Sequence, residues 1–281
     1  MIKINLIDSS FSHLTTEDGK YSMVHGKKTR NIIYERDNES YDGITIFTDS
    51  HLNKSSIDAI DSKFKIGWFL ENRGLNAAPY CRVDSFIDSL DLILTNDKKL
   101  LKDFPDKARL APFGGSWIQE ENILIHPKNK LVSIIYSNKS AGLVGYRLRH
   151  AIANNYSDRI DLFGSGSPNP VELKEEALCD YMFTIVIENI ADNNYFTEKV
   201  VDPFLVGTVP IYWGCPNIDN FFDPLGMLNF TNGGFDSILD SLNKELYDKM
   251  LPYIEKNFNL AKKYEVTEEW IYENILKEVC I

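Results

Sequence analysis

Short apolar runs alternate with helix-like segments along the first hundred residues of the chain. The predicted strands cover residues 2–7, 43–47, 64–69 and 92–95, and the predicted helices cover residues 56–61, 83–89 and 97–103. The helical segments contain a Ser or Asp that can cap their first turn. Such an alternation of strand and helix is typical of α/β folds.

The second half resumes the alternation. The predicted strands cover residues 131–136, 160–163, 183–188 and 209–213, and the predicted helices cover residues 145–155, 172–180 and 197–205. From residue 237 onward the pattern is helical to the end. Because short apolar strands between helices form parallel sheets covered on both faces, each half is predicted to be a doubly wound α/β domain.

A break in this rhythm separates the two halves. Residues 112–130 contain a Gly-Gly pair, a proline and many polar side chains, a composition typical of a linker. We therefore predict an N-terminal domain at residues 1–120, a linker at 121–130, and a C-terminal domain with a helical tail at 131–281. In open parallel sheets, ligands bind outside the carboxyl ends of the strands.

The composition of the 281 residues excludes several classes of protein. The chain carries 30 Lys and Arg against 41 Asp and Glu, a formal charge of −11, and its pI is near 5.0. A surface of this sign repels nucleic acid and anionic lipid, so neither is predicted as a partner. Apolar stretches such as residues 131–136 and 206–213 are far shorter than the roughly 20 residues that span a bilayer. We therefore expect no membrane span.

The cysteines and the first residues point to a reducing compartment. Cys81, Cys179, Cys215 and Cys280 are far apart and form no C-x-x-C pair, so neither a disulfide framework nor a zinc site is predicted. The first eight residues alternate apolar and polar side chains like a strand and lack the apolar core of a signal peptide. We expect a cytoplasmic protein.

The segment with most chemical information runs from residue 183 to residue 216. A predicted buried strand ends in Glu188 and Asn189, a polar loop follows, and Thr197 caps a helix that begins with Glu198 and Lys199. The free N–H groups and the dipole of a helix start attract phosphate, and Lys199 adds a point charge. Glu198 can accept hydrogen bonds from vicinal hydroxyls such as those of a ribose. Taken alone, Thr-Glu-Lys is also typical of an ordinary solvent-facing helix start.

The whole segment resembles the donor-binding motif of glycosyltransferase family 10, the α1,3/4-fucosyltransferases. That motif has a strand ending in Glu-Asn, a short loop, Tyr-x-Thr-Glu-Lys, then Gly-x-(Val/Ile)-Pro-(Val/Ile) and a Gly-x-Pro turn. The corresponding residues here are Glu188-Asn189, Tyr195-Phe196-Thr197-Glu198-Lys199, Gly207-Thr208-Val209-Pro210-Ile211 and Gly214-Cys215-Pro216. So many fixed positions in the correct order make a chance match a poor explanation.

The resemblance implies a GT-B fold, in which two Rossmann-like doubly wound domains face a central cleft. It implies a GDP-sugar donor, typically GDP-fucose, bound by the C-terminal domain, and an acceptor glycan bound mainly by the N-terminal domain. The donor-binding residues that it carries over are Glu188, Asn189, Tyr195, Thr197, Glu198 and Lys199. Because no anchor or stem like those of the Golgi members is visible, a soluble bacterial-type or virus-encoded member is the nearer comparison.

The resemblance also places an arginine at the diphosphate. The family has an Arg-led helix between a strand and a second strand ending in Phe-Gly, and the segment from Gly145 to Ile152 is similar to that helix. The resemblance implies that Arg147 clamps the diphosphate with its guanidinium, whose planar pair of donors suits that task. Its spacing to Ile152 favours this arginine. Arg149 is the competing assignment, and either arginine could instead be a helix-surface cation.

The proposed chemistry requires a base that takes the proton from the acceptor hydroxyl. A carboxylate sheltered in a cleft suits that task, because desolvation raises its pKa towards the working pH. The segment 64–72 is a predicted strand that ends in Glu71, where the family places its proposed catalytic glutamate. We therefore predict Glu71 as the catalytic base; the alternative is a loop carboxylate paired with Arg73.

Together these expectations describe an inverting fucosyltransferase that moves fucose from GDP-fucose to a hydroxyl of an acceptor glycan. No metal site of the Asp-x-Asp type is convincing, and cations around the diphosphate can replace a metal, so a divalent cation is expected to be at most stimulatory. The expected partners are the GDP-sugar and an acceptor oligosaccharide. Two alternatives stay open: the same fold with another GDP-hexose donor, and a glycan-binding relative that has lost catalysis.

Overall fold

The computed structural model describes residues 1–9, 19–20, 22, 25–139 and 142–279. Its contacts divide the chain into two units. The first unit is Met1–Gly115 together with Val266–Ile281, and the second is Ser116–Glu265. Each unit has a parallel sheet and a hydrophobic core of its own.

Strands and helices alternate through most of the described residues. The strands are β1 (Ile2–Ile7), β2 (Ile32–Arg36), β3 (Ser40–Thr48), β4 (Asp61–Phe69), β5 (Leu92–Thr95), β6 (Ala108–Leu110), β7 (Lys130–Ile135), β8 (Asp161–Phe163), β9 (Tyr181–Ile187), β10 (Val209–Trp213) and β11 (Leu228–Asn229). The helices are α1 (Lys54–Asp58), α2 (Ala77–Cys81), α3 (Lys98–Asp103), α4 (Val144–Asn155), α5 (Glu198–Leu205), α6 (Phe235–Ser241), α7 (Lys244–Ala261), α8 (Thr267–Ile271) and α9 (Lys277–Val279). A π-helical turn, Tyr272–Leu276, joins α8 to α9.

The sheet of the first unit has the order β2-β1-β3-β4-β5-β6 in the described residues. Every neighbouring pair is parallel, so the carboxyl ends of the strands lie along one edge. Thr48 of β3 pairs with Trp68 of β4, and Phe69 of β4 pairs with Thr95 of β5. The residues that follow β3, β4 and β5 are therefore neighbours.

Alternate side chains of β4 belong to two separate hydrophobic clusters of the first unit. Ile66 and Trp68 pack in one cluster with Ile271 and Leu276 from the end of the chain. Phe69 belongs to the other cluster. Since successive residues of a strand point to opposite faces, the C-terminal segment covers one face of this sheet.

The sheet of the second unit has the order β11-β10-β9-β7-β8 in the part of the chain that the structure describes, again with every pair parallel. All seven residues of β9 are buried, as the continuous apolar run predicts for a central parallel strand. Ile185 of β9 packs in a cluster with Ile254 of α7, and its neighbour Val186 packs in another with Phe204 of α5. The two faces of β9 therefore belong to different clusters: α5 packs in the cluster of Val186, and α7 contributes to both, through Ile254 and through Ala261.

The structure confirms most of the predicted strands. β1, β5 and β10 have the predicted bounds. The sequence did not predict β2, β6 or β11, because each is short and adjoins polar residues. The helix predicted at residues 172–180 is only a 3-10 turn, Lys174–Ala177, whose start is capped by the Glu176 side chain, which accepts the backbone N–H groups of residues 172 and 173.

The observed units differ from the predicted domains at two places. Residues 121–130, expected to be a linker, belong to the second unit, where the Lys128 ammonium donates to the carbonyls of Cys179 and Val206, each at 2.8 Å. The helical tail, expected in the C-terminal domain, belongs to the first unit from Val266 onward, because its apolar residues fill the core of that unit.

The helix α7 is amphipathic over its 18 residues. Its buried residues are Tyr247, Met250, Ile254, Asn257 and Ala261, and the Lys, Glu and Asp side chains of the helix lie outside this buried set. Among the described residues, no helix is both long enough and apolar enough to cross a membrane.

Candidate functional site

A cavity of about 360 Å³ opens at the carboxyl edge of the second sheet. Its lining includes Tyr136, Ser165 and Asn189, which follow β7, β8 and β9, and Glu198 and Lys199 from the first turn of α5. Three neighbouring strands therefore end at this cavity. Parallel α/β sheets bind their ligands at such positions.

Glu188 fixes the start of helix α5. Its side chain is fully buried, and its oxygens accept hydrogen bonds from the backbone N–H of Thr197 at 2.9 Å and from the Thr197 hydroxyl at 2.8 Å. The same hydroxyl oxygen accepts the backbone N–H of Lys199 at 3.3 Å. Glu188 thus joins the end of β9 to the cap of α5, which sets the position of the helix start beside the cavity.

The structure separates the six residues predicted from the motif to bind the donor into two groups. Asn189, Glu198 and Lys199 line the cavity. Glu188, Tyr195 and Thr197 are buried and do not line it. Within the second group, Glu188 and Thr197 hold the helix start from which Glu198 and Lys199 project.

Arg149, and not Arg147, lines the cavity. Arg149 is buried on α4, and its guanidinium donates to the carbonyl of Ile187 at 2.6 and 3.0 Å and to Oδ1 of Asn189 at 2.7 Å. Arg147, predicted as the diphosphate clamp, is exposed and donates to the carbonyl of Gly142 at 2.5 Å. Residues two positions apart in an α-helix point in directions that differ by about 200°, so only one of these two arginines can face the cavity.

Charged side chains of alternating sign form a chain of contacts at the cavity and behind its wall. The Lys199 ammonium lies 3.2 Å from Oε1 of Glu198 and 3.8 Å from Oε2 of Glu188. On the other side of Glu198, the Lys174 ammonium lies 3.6 Å from the same Oε1 and 2.7 Å from Oδ2 of Asp202. We call these five residues the charge network; each of its lysines lies between two of its carboxylates.

Burial and charge shift the pKa values within this network in opposite directions. Burial raises the pKa of Glu188 and of Asp202, against the opposing positive charges of Lys199 and Lys174. Burial disfavours the charged form of Lys174, but the carboxylates of Asp202 and Glu198 outweigh that effect and raise its pKa above the ordinary value. Lys174 is therefore a cation at neutral pH.

Glu71, the predicted base, follows β4 at the carboxyl edge of the first sheet. Its side chain is partly exposed, and its backbone carbonyl accepts a hydrogen bond from the Tyr80 hydroxyl at 2.6 Å. Arg73, the alternative partner for Glu71, donates two hydrogen bonds to Asp97 at 2.9 and 3.0 Å. These contacts fix the turn that presents Glu71.

A second carboxyl group, Asp49, supports the same turn. It is 5% exposed, and its Oδ1 accepts the backbone N–H of Leu70 at 3.0 Å. Burial, with a smaller effect of the negative charges of Glu71 and Asp8, raises the pKa of Asp49 to about 7, although the N–H groups of residues 70 and 71 lower it. Asp49 therefore titrates near neutral pH beside the predicted base.

Sequence reasoning missed Asp49, Asp202 and Lys174. Asp202 carries a detectable signal, because it lies four positions after Glu198 on α5 and so shares a helix face with it. Lys174 carries no local signal, since it lies 28 positions before Asp202 and meets it only through the fold. Asp49 lies two positions after the predicted strand 43–47, near a strand end of the kind at which α/β folds place ligand-binding residues.

Cations are prominent among the charged side chains that line the cavity: Lys139, Arg149, Lys174 and Lys199. Among the described residues, no group of three or more His, Cys, Asp or Glu side chains is arranged to hold a metal ion. Ammonium and guanidinium donors suit an anion such as a phosphate.

A sequence comparison matches the part of the chain that contains this cavity. The C-terminal part of glycosyltransferase family 10 (fucosyltransferase) matches residues 125–280, more than half of the chain. All residues that line the cavity fall within the match.

Curated relatives match shorter segments. The α-(1,3)-fucosyltransferase FucT of Helicobacter pylori is 28% identical over 156 residues, which cover 53% of this chain and 31% of that protein. An α-(1,4)-fucosyltransferase of Arabidopsis thaliana is 34% identical over 79 residues, which cover 28% of this chain and 20% of that protein. The chain thus spans less than a third of the length of these relatives.

Solved structures extend the likeness to nearly the whole chain. A crystal structure of an α1,3-fucosyltransferase with GDP-fucose is 17% identical and has a TM-score of 0.58, over 94% of this chain and 90% of that one. A structure with GDP gives a TM-score of 0.57 over 95% and 92%. At such identity the likeness shows the fold alone. With the two parallel-sheet units, it confirms the predicted GT-B fold class.

Proposed function

The chain belongs to glycosyltransferase family 10, and on that premise we propose that it is an inverting fucosyltransferase, which transfers fucose from GDP-fucose to a hydroxyl of an acceptor glycan, as an α1,3-type enzyme. The observation that carries the proposal is the cavity in which Arg149 and Lys199 lie beside the N-terminus of α5. Two cations at a helix start suit the diphosphate of a nucleotide sugar.

In this proposal the diphosphate binds between Arg149 and Lys199, and Glu198 accepts hydrogen bonds from the ribose. Asn189 keeps Arg149 directed into the cavity through its Oδ1 at 2.7 Å. Glu188 and Thr197 act through the helix start that they support, and Tyr195 is buried in the loop that leads to that helix. As the bond from fucose to the diphosphate breaks, negative charge grows on GDP, and cations fixed in advance stabilise that charge without reorganisation.

Glu71 is the proposed catalytic base. The acceptor oxygen forms a bond to C1 of fucose while the bond from C1 to the diphosphate oxygen breaks. The proton of the acceptor hydroxyl passes to the Glu71 carboxylate, and GDP leaves. Attack on the face opposite the diphosphate inverts the configuration at C1, through an oxocarbenium-like transition state of the kind known for glycosidases.

Calorimetry with GDP-fucose, GDP-mannose, GDP and UDP tests this proposal. We expect GDP-fucose to bind more tightly than GDP-mannose and UDP not to bind, because the cations bind the diphosphate while the nucleoside and the sugar supply the selectivity.

Each other outcome has a definite meaning. Equal binding of the two GDP-sugars supports the nucleotide site and leaves another GDP-hexose as the donor. Absence of binding by all four ligands contradicts the proposed activity and favours a glycan-binding relative that shares only the fold.

We also propose that turnover needs no divalent metal ion. Arg149 and Lys199 supply the positive charge that a metal ion supplies in other glycosyltransferases. Transfer in excess EDTA is therefore expected to keep most of the rate measured without the chelator. A loss of turnover that Mn²⁺ alone restores contradicts this expectation.

We further propose a cytoplasmic location. The described cysteines Cys81, Cys179 and Cys215 are free thiols, and Cys81 is exposed. Free exposed thiols persist in reducing compartments. The remaining cysteine, Cys280, lies outside the described residues.

A further inference from the structure

Lys174 lines the donor cavity but takes no part in the proposed reaction. It begins the 3-10 turn before β9, and both of its carboxylate partners lie on α5. Its ammonium is 2.7 Å from Oδ2 of Asp202 and 3.6 Å from Oε1 of Glu198. Lys174 therefore links the turn before β9 to the start of α5, which faces the cavity.

Asp202 holds Lys174 in one place. Its side chain is 1% exposed, and its other oxygen, Oδ1, accepts the backbone N–H of Trp117 at 2.9 Å. Since both oxygens are engaged and buried, this carboxylate has little freedom to move. The ammonium of Lys174 is thereby tethered beside Glu198.

The second lysine beside Glu198 has a competing partner when a nucleotide binds. Lys199 lies 3.2 Å from Oε1 of Glu198 and 3.0 Å from the hydroxyl oxygen of Thr197, at the N-terminus of α5. A diphosphate at that helix start attracts the Lys199 ammonium, because the negative charge of the diphosphate exceeds that of a single carboxylate. Lys174, tethered by Asp202, then stays as a cation beside Glu198.

We infer that Lys174 is a positioning residue for ribose recognition, which holds the Glu198 carboxylate in the orientation that accepts the ribose hydroxyls. The inference rests on the proposed function, since it requires a nucleoside diphosphate in this cavity. It assigns selectivity for the ribose to a side chain that does not touch the donor.

Calorimetry of the full chain with GDP and with 2′,3′-dideoxy-GDP, which lacks both ribose hydroxyls, tests this inference. The wild-type protein is expected to bind GDP at least about tenfold more tightly than the dideoxy nucleotide, because hydrogen bonds from the ribose hydroxyls to a charged acceptor add to the binding free energy. In Lys174→Met this preference is expected to fall below about threefold, because Glu198 loses its fixed cation. Lys174→Arg is expected to keep the preference, since the guanidinium retains the charge.

Lys139→Met is the matched control. Lys139 lines the same cavity and is exposed, and it is not part of the charge network. Its removal takes away the same charge without touching Glu198. Both nucleotides are therefore expected to weaken together, with their ratio unchanged.

The outcomes separate the inference from the proposed function. If Lys174→Met weakens both nucleotides equally and keeps the wild-type ratio, the inference is wrong. It is also wrong if the wild-type protein binds GDP and the dideoxy nucleotide equally, although the nucleotide site then stands. A wild-type protein that binds neither nucleotide contradicts the proposed function and the inference together.

A second variant guards against a folding defect. Removing Lys174 leaves the buried Asp202 without its cation, which destabilises the fold. If Lys174→Met lowers the melting temperature by more than about 10 °C, Lys174→Gln replaces it, because the amide still donates to Asp202 but carries no charge. The same fall in the GDP preference is expected for Lys174→Gln, and an unchanged preference overturns the inference.

Discussion

Glu71→Gln is expected to lower the rate of fucosyl transfer by about 10²–10⁴-fold, while the affinity for GDP stays within about twofold of wild type. The amide has the size of the carboxylate but cannot take the proton of the acceptor hydroxyl. The turn itself stays in place, because the Tyr80 hydroxyl binds the carbonyl of residue 71 and Asp49 binds the N–H of Leu70. Nucleotide affinity is kept because the donor cavity is built from the second unit.

The measurement is the release of GDP from GDP-fucose in the presence of an acceptor glycan, together with calorimetry for GDP. Glu39→Gln is the control, since Glu39 is an exposed carboxylate of the same unit, and its rate is expected to stay within about twofold of wild type. A Glu71→Gln variant that keeps wild-type turnover shows that another group accepts the proton.

The central strands of both sheets could be predicted because their apolar runs are continuous. β9 is buried at every position, and β1, β5 and β10 were located at their observed bounds. The edge strands β2, β6 and β11 were missed, since an edge strand buries less surface and needs fewer apolar residues.

The partner of the C-terminal helices could not be predicted from the sequence. An amphipathic pattern shows that a helix buries one face, but it does not show which sheet receives that face. Ile271 and Leu276 pack with Ile66 and Trp68, which lie some two hundred positions earlier in the chain, so the contact is visible only in three dimensions. The same long-range contact explains why the second unit ends at Glu265.

The candidate site was predictable where its residues are contiguous. The motif brought Asn189, Glu198 and Lys199 together because strand, loop and helix start follow one another directly. The choice between Arg147 and Arg149 depends on the rotation of α4 relative to the sheet, which the spacing to Ile152 did not determine. Lys174 depends on a turn distant in sequence from α5.

Arg149→Met is expected to lower kcat/KM for GDP-fucose by about 10²-fold or more, whereas Arg147→Met lowers it by less than about threefold. Arg149 lines the cavity, and its positive charge lies among the groups that surround the proposed diphosphate. Arg147 is exposed and donates to the carbonyl of Gly142. The two substitutions remove the same charge from the same helix, so each is the control for the other.

Calorimetry with GDP and with guanosine separates a phosphate contact from a merely structural role. Arg149 also donates to the carbonyl of Ile187 and to Asn189, so its loss could disturb the end of β9 and weaken every ligand. If Arg149 binds the diphosphate, Arg149→Met weakens GDP while guanosine, which lacks phosphate, binds as it does to the wild-type protein. Equal weakening of GDP and guanosine assigns Arg149 a structural role. If Arg147→Met instead weakens GDP and leaves guanosine binding unchanged, then Arg147, the arginine that the sequence favoured, binds the diphosphate.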